Sequence, residues 1–308
     1  MKRTVFFGQL SPFGQLLLLF GLILVFAITV ALVGLYAGMM FFNISMADIS
    51  SFVSNPDTPE SILFIKFYQV LNQIGIFILP ALLFSFLVSN NTFEYLSLNR
   101  LPLLISLLLA GMIIYSILPF NNYLDDLNRH IKFPNFLSGV ENWMLAKEDQ
   151  ARKLTKVFLN ASTVSGLFLN IFVVALVPAI GEELLFRGVL LKLFNGLFKN
   201  IHIAVVISAL VFSAIHFQFF GFLPRALLGI LLGYLFVFSG NLWVPIFAHF
   251  LNNASSAIIY YLHQNGHIKV SMDNFGTSTN TVYIIGSLLI SLWLLMIIFQ
   301  KEGSRSVL

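Results

Sequence analysis

"GEELLFRG", residues 181–188, places two adjacent glutamates and an arginine between two long apolar runs. A charged side chain at mid-bilayer costs about 2.5–3.5 kcal/mol on insertion scales, so unpaired charge is not expected there. The rest of the chain says that a bilayer is the right frame. Of its 308 residues 58% are hydrophobic, 34 are phenylalanine and only 10% are charged, against about 25% charged in a soluble globular domain. The chain reads as an all-α polytopic membrane protein with its polar site buried in the helical bundle. It reads as a single transmembrane domain over residues 1–308, without internal repeat or low-complexity segment.

A helix needs about 20 apolar residues to cross the hydrocarbon core. By that measure about eight transmembrane helices are expected, near 13–40, 64–88, 101–120, 157–199, 201–219, 222–239, 242–262 and 280–299, the fourth kinked or broken at Pro178, which lacks an amide hydrogen. The N-terminal run has the basic start of a secretory signal, but its uncharged stretch from Thr4 to Ala47 far exceeds the roughly 7–15 residues of a signal core. Residues 43–61 read as a polar loop. The segment "ENWMLAKEDQARKLTK" (141–156) reads as a surface helix with Trp143 at the membrane interface. Lys2, Arg3, Lys301 and Arg305 put both termini in the cytoplasm by the positive-inside rule, consistent with an even span count. The net charge of +4 is scattered, so no nucleic-acid partner is expected. With no cysteine, disulfides and thiolate metal sites are excluded.

The spacing of the polar residues brings distant groups together. Glu182 and Glu183 lie 18 and 17 residues before Asn200, the expected turn, and His216 lies 16 after it, so in a helical hairpin all three share a depth of roughly 24–27 Å from the turn. Glu183 and Arg187, four apart, face one another and neutralise each other; Glu182, about 100° around the helix, faces elsewhere. Phe212 and His216 share a helical face, as do His249 and Asn253. Taken alone, His216 reads as a hydrogen-bonded packing residue, and Glu183 with Arg187 as a structural ion pair; together with Glu182 they point to a site. Lys66, Gln69, Asn72 and Gln73 form a polar stripe facing other helices or a water-filled cavity. His202, His263 and His267 fall at span ends or in loops and are assigned nothing.

"EELLFR" (Glu182, Glu183, Arg187), "FSAIH" (Phe212, His216) and "HFLNN" (His249, Asn253) resemble, in order, the three motifs of the CPBP family, which includes CAAX prenyl endopeptidases and bacteriocin-processing proteins. The resemblance covers about residues 157–262. It implies an intramembrane endopeptidase acting on peptide or protein substrates in or at the membrane, with prenylated CAAX-type substrates the best known. It implies catalytic roles for Glu182 and His216, which would activate water, and for His249 and Asn253, which would steady the oxyanion, with Glu183, Arg187 and Phe212 supporting. Zinc held by Glu182, His216 and His249 with water in the fourth place is one form of this chemistry; a metal-free glutamate mechanism is the other, and spacing leaves both open.

Other intramembrane proteases fit less well. There is no HExxH, no aspartate lies within an expected span, and "TVSG" (163–166) lacks the first glycine of a rhomboid-type GxSG. A transporter or channel using intramembrane Glu and His, and a non-cleaving immunity-type relative, are the rival readings. The expected location is a prokaryotic cell membrane, with lipid as a partner.

Overall fold

The computed structural model describes residues 5, 7–54, 56, 58–131 and 133–302. Lys2, Arg3 and Arg305, on which the expected orientation rests, lie outside them. The described fold is all-helical. Helix α1 (Pro12–Phe42) starts where the Ser11 side chain accepts the Gly14 amide and ends at Asn43 in the left-handed conformation. Most of its apolar surface is outward-facing, as for a helix bathed in lipid. It approaches α2 (Pro59–Val88) closely through Gly34 and Gly38, where a Cβ would fall 2.6 Å from Leu71 and from Phe64; small residues at such contacts are a usual means of packing membrane helices.

Helices α3 (Leu104–Ser116) and α4 (Leu118–Arg129) correspond to the span expected at 101–120 but bend by 42°. Pro119 sits in the first turn of α4 and cannot donate backward to continue α3. Helix α5 (Ser138–Leu159) is the expected charged surface helix, with the Trp143 ring 5.2 Å from that of Phe219.

Helix α6 (Val164–Phe198) begins later than expected, because Thr163 caps it and residues 157–159 belong to α5. The expected break at Pro178 is replaced by a π turn, Phe172–Leu176, and the helix continues. Helix α2 uses the same device, with a π turn at Ile74–Ile78 followed by Pro80. The wider turn makes room for the proline ring and leaves the missing hydrogen bond within an otherwise continuous helix. A second π turn in α6, Phe186–Leu190, contains Arg187.

Helix α7 (Ile201–Ala214) follows after Asn200, whose side chain accepts two amides as its cap, so the expected hairpin turn is where the sequence puts it. Helices α8 (Phe222–Ser239), α9 (Trp243–Gln264) and α10 (Thr281–Glu302) complete the bundle. Gly229 and Gly233 of α8 lie so close to Ala209 and Val205 of α7 that an added Cβ would fall 2.9 Å from each side chain.

The chain is an integral multi-pass membrane protein, but the count of eight spans is not reproduced by length and apolarity. Five helices are long and apolar enough to cross a bilayer, six if the bent α3–α4 pair is one span. With 14 residues, α7 is about 21 Å long, short of the roughly 30 Å hydrocarbon core. Helix α9 has the length, with 22 residues, but the polar side chains of His249, Asn252, Asn253, Ser255 and Ser256 dilute its apolarity.

Candidate active site

The interior of α6 places Glu182, Glu183 and Arg187 almost wholly out of solvent contact, at 6%, 0% and 1% exposure. The i, i+4 spacing does what the sequence requires: Arg187 Nη1 donates to Glu183 Oε1 at 2.7 Å. Arg187 spends a second donor, Nη2, on the Gly229 carbonyl of α8 at 2.8 Å, and its guanidinium lies 5.0 Å from the centre of the Phe212 ring. The absence of a side chain on Gly229 lets α8 lie against α7, where an added Cβ would fall 3.0 Å from the Ala209 Cα.

Glu182 indeed faces elsewhere. Its Oε1 accepts from Gln73 Nε2 of α2 at 3.2 Å, and its Oε2 lies 3.8 Å from His249 Nε2 of α9. His249 is 3% exposed and held from its other side, because Nδ1 lies 2.9 Å from Glu183 Oε1. An ionised carboxylate can only accept, so Nδ1 carries the hydrogen. The result is an imidazole oriented by one carboxylate and facing another.

His216 lies just past the end of α7. Its Nδ1 is 2.8 Å from the Phe212 carbonyl, which accepts, so Nδ1 carries the hydrogen here as well and Nε2 of the neutral ring is left with its lone pair. No hydrogen bond or ion pair joins His216 to Glu182. Phe212 connects the two halves: its ring stands edge-on to His216 at 5.1 Å and to His249 at 5.9 Å. Phe212 therefore contacts both imidazoles and Arg187.

Asn253 lies one turn beyond His249 on α9. Its Nδ2 donates to the Val174 carbonyl in the first π turn of α6 at 3.3 Å, and its Oδ1 accepts from Asn252 at 3.1 Å. A second Nδ2 hydrogen is not used by that bond.

The three side chains that a zinc ion would need are not gathered. Among the described residues no group of three or more His, Asp or Glu side chains is arranged to hold a metal. Glu182 and His249 face each other, while His216 turns Nδ1 into its own helix end. An imidazole whose Nδ1 is held by a carbonyl or a carboxylate keeps Nε2 open to a metal or a water, and no step is derived through a metal.

Two contacts were not anticipated. Gln73 appeared only as part of a polar stripe, yet it holds the glutamate. Lys66, in the same stripe, donates to Asn170 Oδ1 at 2.6 Å. An amide and an ammonium inside an apolar run were the available signals; their partners, more than a hundred residues away, left none.

Residues 164–255 match the family model for type II CAAX prenyl endopeptidase Rce1-like proteins, so this part of the chain is similar to that CPBP-family domain. All seven motif residues named from the sequence fall within it. Among curated proteins, "Uncharacterized protein YpbD" of Bacillus subtilis (strain 168) is 33% identical over 103 residues, 32% of this chain and 47% of that protein. The match thus spans about half the length of that relative. No solved structure matches.

Proposed function

We propose that the chain is an intramembrane endopeptidase that hydrolyses peptide bonds in membrane-associated substrates. It crosses a prokaryotic cell membrane eight times with both termini cytoplasmic, the short α7 and the polar α9 being shielded by their neighbours. It acts as one transmembrane domain. The observation that carries the reading is the pairing of two carboxylates on one imidazole: Glu183 fixes His249 at 2.9 Å while Glu182 faces its other nitrogen at 3.8 Å.

In this reading Glu182 accepts a proton from a water molecule whose oxygen attacks the scissile carbonyl. His216, with Nε2 as its open acceptor, shares in orienting and deprotonating that water. The tetrahedral intermediate's oxyanion receives hydrogen bonds from the second Nδ2 hydrogen of Asn253 and from Nε2 of His249, which carries a proton when the ring is charged. Glu182 then delivers its proton to the leaving nitrogen as the C–N bond breaks. Glu183 and Arg187 hold the imidazole and take no part in the proton transfer. Gln73 keeps Glu182 turned inward.

The test is cleavage of a lipidated, internally quenched peptide by the purified protein in proteoliposomes. Glu182→Gln should lower the rate by about 10²–10⁴-fold, the range for a positioned acid–base group, while thermal unfolding stays unchanged. Equal cleavage by this variant, or an ion flux that depends on Glu182 with no cleavage at all, would overturn the reading.

A further inference from the structure

Asn252 stands beside the proposed oxyanion donor and takes no part in the proposed chemistry. It is half-buried on α9. Adjacent side chains on a helix diverge by about 100°, so neighbours at i, i+1 do not ordinarily face each other. Asn252 nevertheless turns its Nδ2 to Asn253 Oδ1, at 3.1 Å.

The other end of Asn253 shows what that bond does. Its Nδ2 donates to the Val174 carbonyl at 3.3 Å. Pro178 lies four residues beyond Val174, the position that supplies a carbonyl's donor in an α-helix, and proline has no amide hydrogen to give. The carbonyl that Pro178 cannot serve takes a side-chain donor from α9 instead. A carbonyl only accepts, so the Asn253 atom facing it is Nδ2 and the atom facing Asn252 is Oδ1. Rotating the Asn253 amide by half a turn would set oxygen against the Val174 carbonyl and nitrogen against the Asn252 nitrogen. Two contacts therefore hold one orientation, and it is the one that leaves the second Nδ2 hydrogen for a developing oxyanion. In the reversed orientation the oxyanion would meet Oδ1. The Val174 bond is longer than the usual N–H···O range, so the shorter bond from Asn252 carries much of the constraint.

We infer that Asn252 is a positioning residue for the hydrolysis: its amide holds Asn253 in the one orientation that presents a donor to the oxyanion. This rests on the proposed peptidase reading and on Asn253 as its oxyanion donor. Asn252 acts through Asn253 and does not touch the reacting atoms.

The experiment uses the whole protein in proteoliposomes with the lipidated, internally quenched peptide, and reads kcat and KM separately. An ionised aspartate only accepts, so in Asn252→Asp the Asn253 amide turns its Nδ2 toward the new carboxylate and presents oxygen to the oxyanion. Its kcat should fall by about 10²–10³-fold, as on removal of the donor itself, with KM little changed. Asn252→Leu removes the hydrogen bond without reversing the amide and should cost about tenfold in kcat, the scale of one such bond. Asn252→Gln keeps a donor and should fall between the wild type and Asn252→Leu. Asn252→Asp combined with Asn253→Ala should match Asn253→Ala alone, because the aspartate then has no amide to turn. Chemical unfolding checks that each variant folds. If the aspartate variant does not, the order of Asn252→Gln and Asn252→Leu, and the loss of the leucine effect in the Asn253→Ala background, carry the test. Wild-type kcat in Asn252→Leu and Asn252→Asp, a change confined to KM, or a further fall in the double variant overturns the role of Asn252 and leaves the peptidase reading intact. No cleavage by the wild type overturns the peptidase reading, and the role of Asn252 falls with it.

Discussion

Replacing Arg187 with methionine removes a guanidinium that is 1% exposed and makes bonds of 2.7 Å to Glu183 and 2.8 Å to the Gly229 carbonyl. The methionine fills most of the volume but supplies no donor. Glu183, 0% exposed, then keeps only His249 against its charge, and the α8 carbonyl loses its side-chain donor. Breaking a buried pair from one side costs about 3–5 kcal/mol. The ring face of Phe212 also loses a cation, worth about 0.5–2 kcal/mol. The expected loss is therefore about 3.5–7 kcal/mol, with the upper end reached if the carbonyl finds no water. Glu183→Gln with Arg187→Met should be less damaging than the sum of the two single changes, with a coupling of about 1–3 kcal/mol, because the glutamine removes the stranded charge and still offers His249 an acceptor. Chemical unfolding of the protein in mixed micelles, followed by tryptophan fluorescence and circular dichroism, measures all four corners of the cycle. A loss below about 1 kcal/mol for Arg187→Met, the value of an exposed pair, would refute the buried geometry from which the number is worked.

Other changes probe other parts of the site. Asn253→Ala should lower kcat by about 10²–10³-fold with KM little changed, as removal of an oxyanion donor does; a change confined to KM would remove it from that role. Gln73→Leu frees Glu182 to reorient and should reduce kcat by about tenfold, the scale of one lost hydrogen bond of about 1.4 kcal/mol, and unchanged turnover would make the 3.2 Å contact incidental. Gly229→Val introduces a side chain where Cβ already meets the Ala209 Cα at 3.0 Å; it should destabilise by about 1–3 kcal/mol and cut activity by pulling the α8 carbonyl from Arg187. A fully stable and active Gly229→Val protein would show that the α7–α8 contact is looser than described.

Much of the site was legible because its spacing is local. Glu183 and Arg187 pair at i, i+4, Phe212 and His216 share a helix end, and the turn at Asn200 sets α6 and α7 at matched depth. The rest depends on helix contacts that hydropathy does not encode. His249 bonds Glu183, not only facing a common cavity, because α9 crosses α6 at that level. Gln73 reaches Glu182 from a helix 109 residues away in sequence. His216 is tied through Nδ1 to its own helix end, a matter of side-chain rotation invisible in a string. Eight spans are not shown by length and apolarity for a related reason: that rule presumes that each crossing helix faces lipid, and α7 and α9 are respectively too short and too polar to satisfy it. Pro178 announced a distortion correctly but not its form, since a π turn relieves the ring clash as well as a kink does.

In the proposed mechanism these side chains activate water with no step through a metal, and zinc held by Glu182, His216 and His249 is the alternative. The most direct measurement is the turnover of wild-type protein in proteoliposomes after exhaustive chelator dialysis, with residual metal determined by mass spectrometry on the same sample. Unchanged kcat at far below one metal ion per chain is the expected result. Activity that falls with the metal and returns on adding one equivalent of zinc would contradict it.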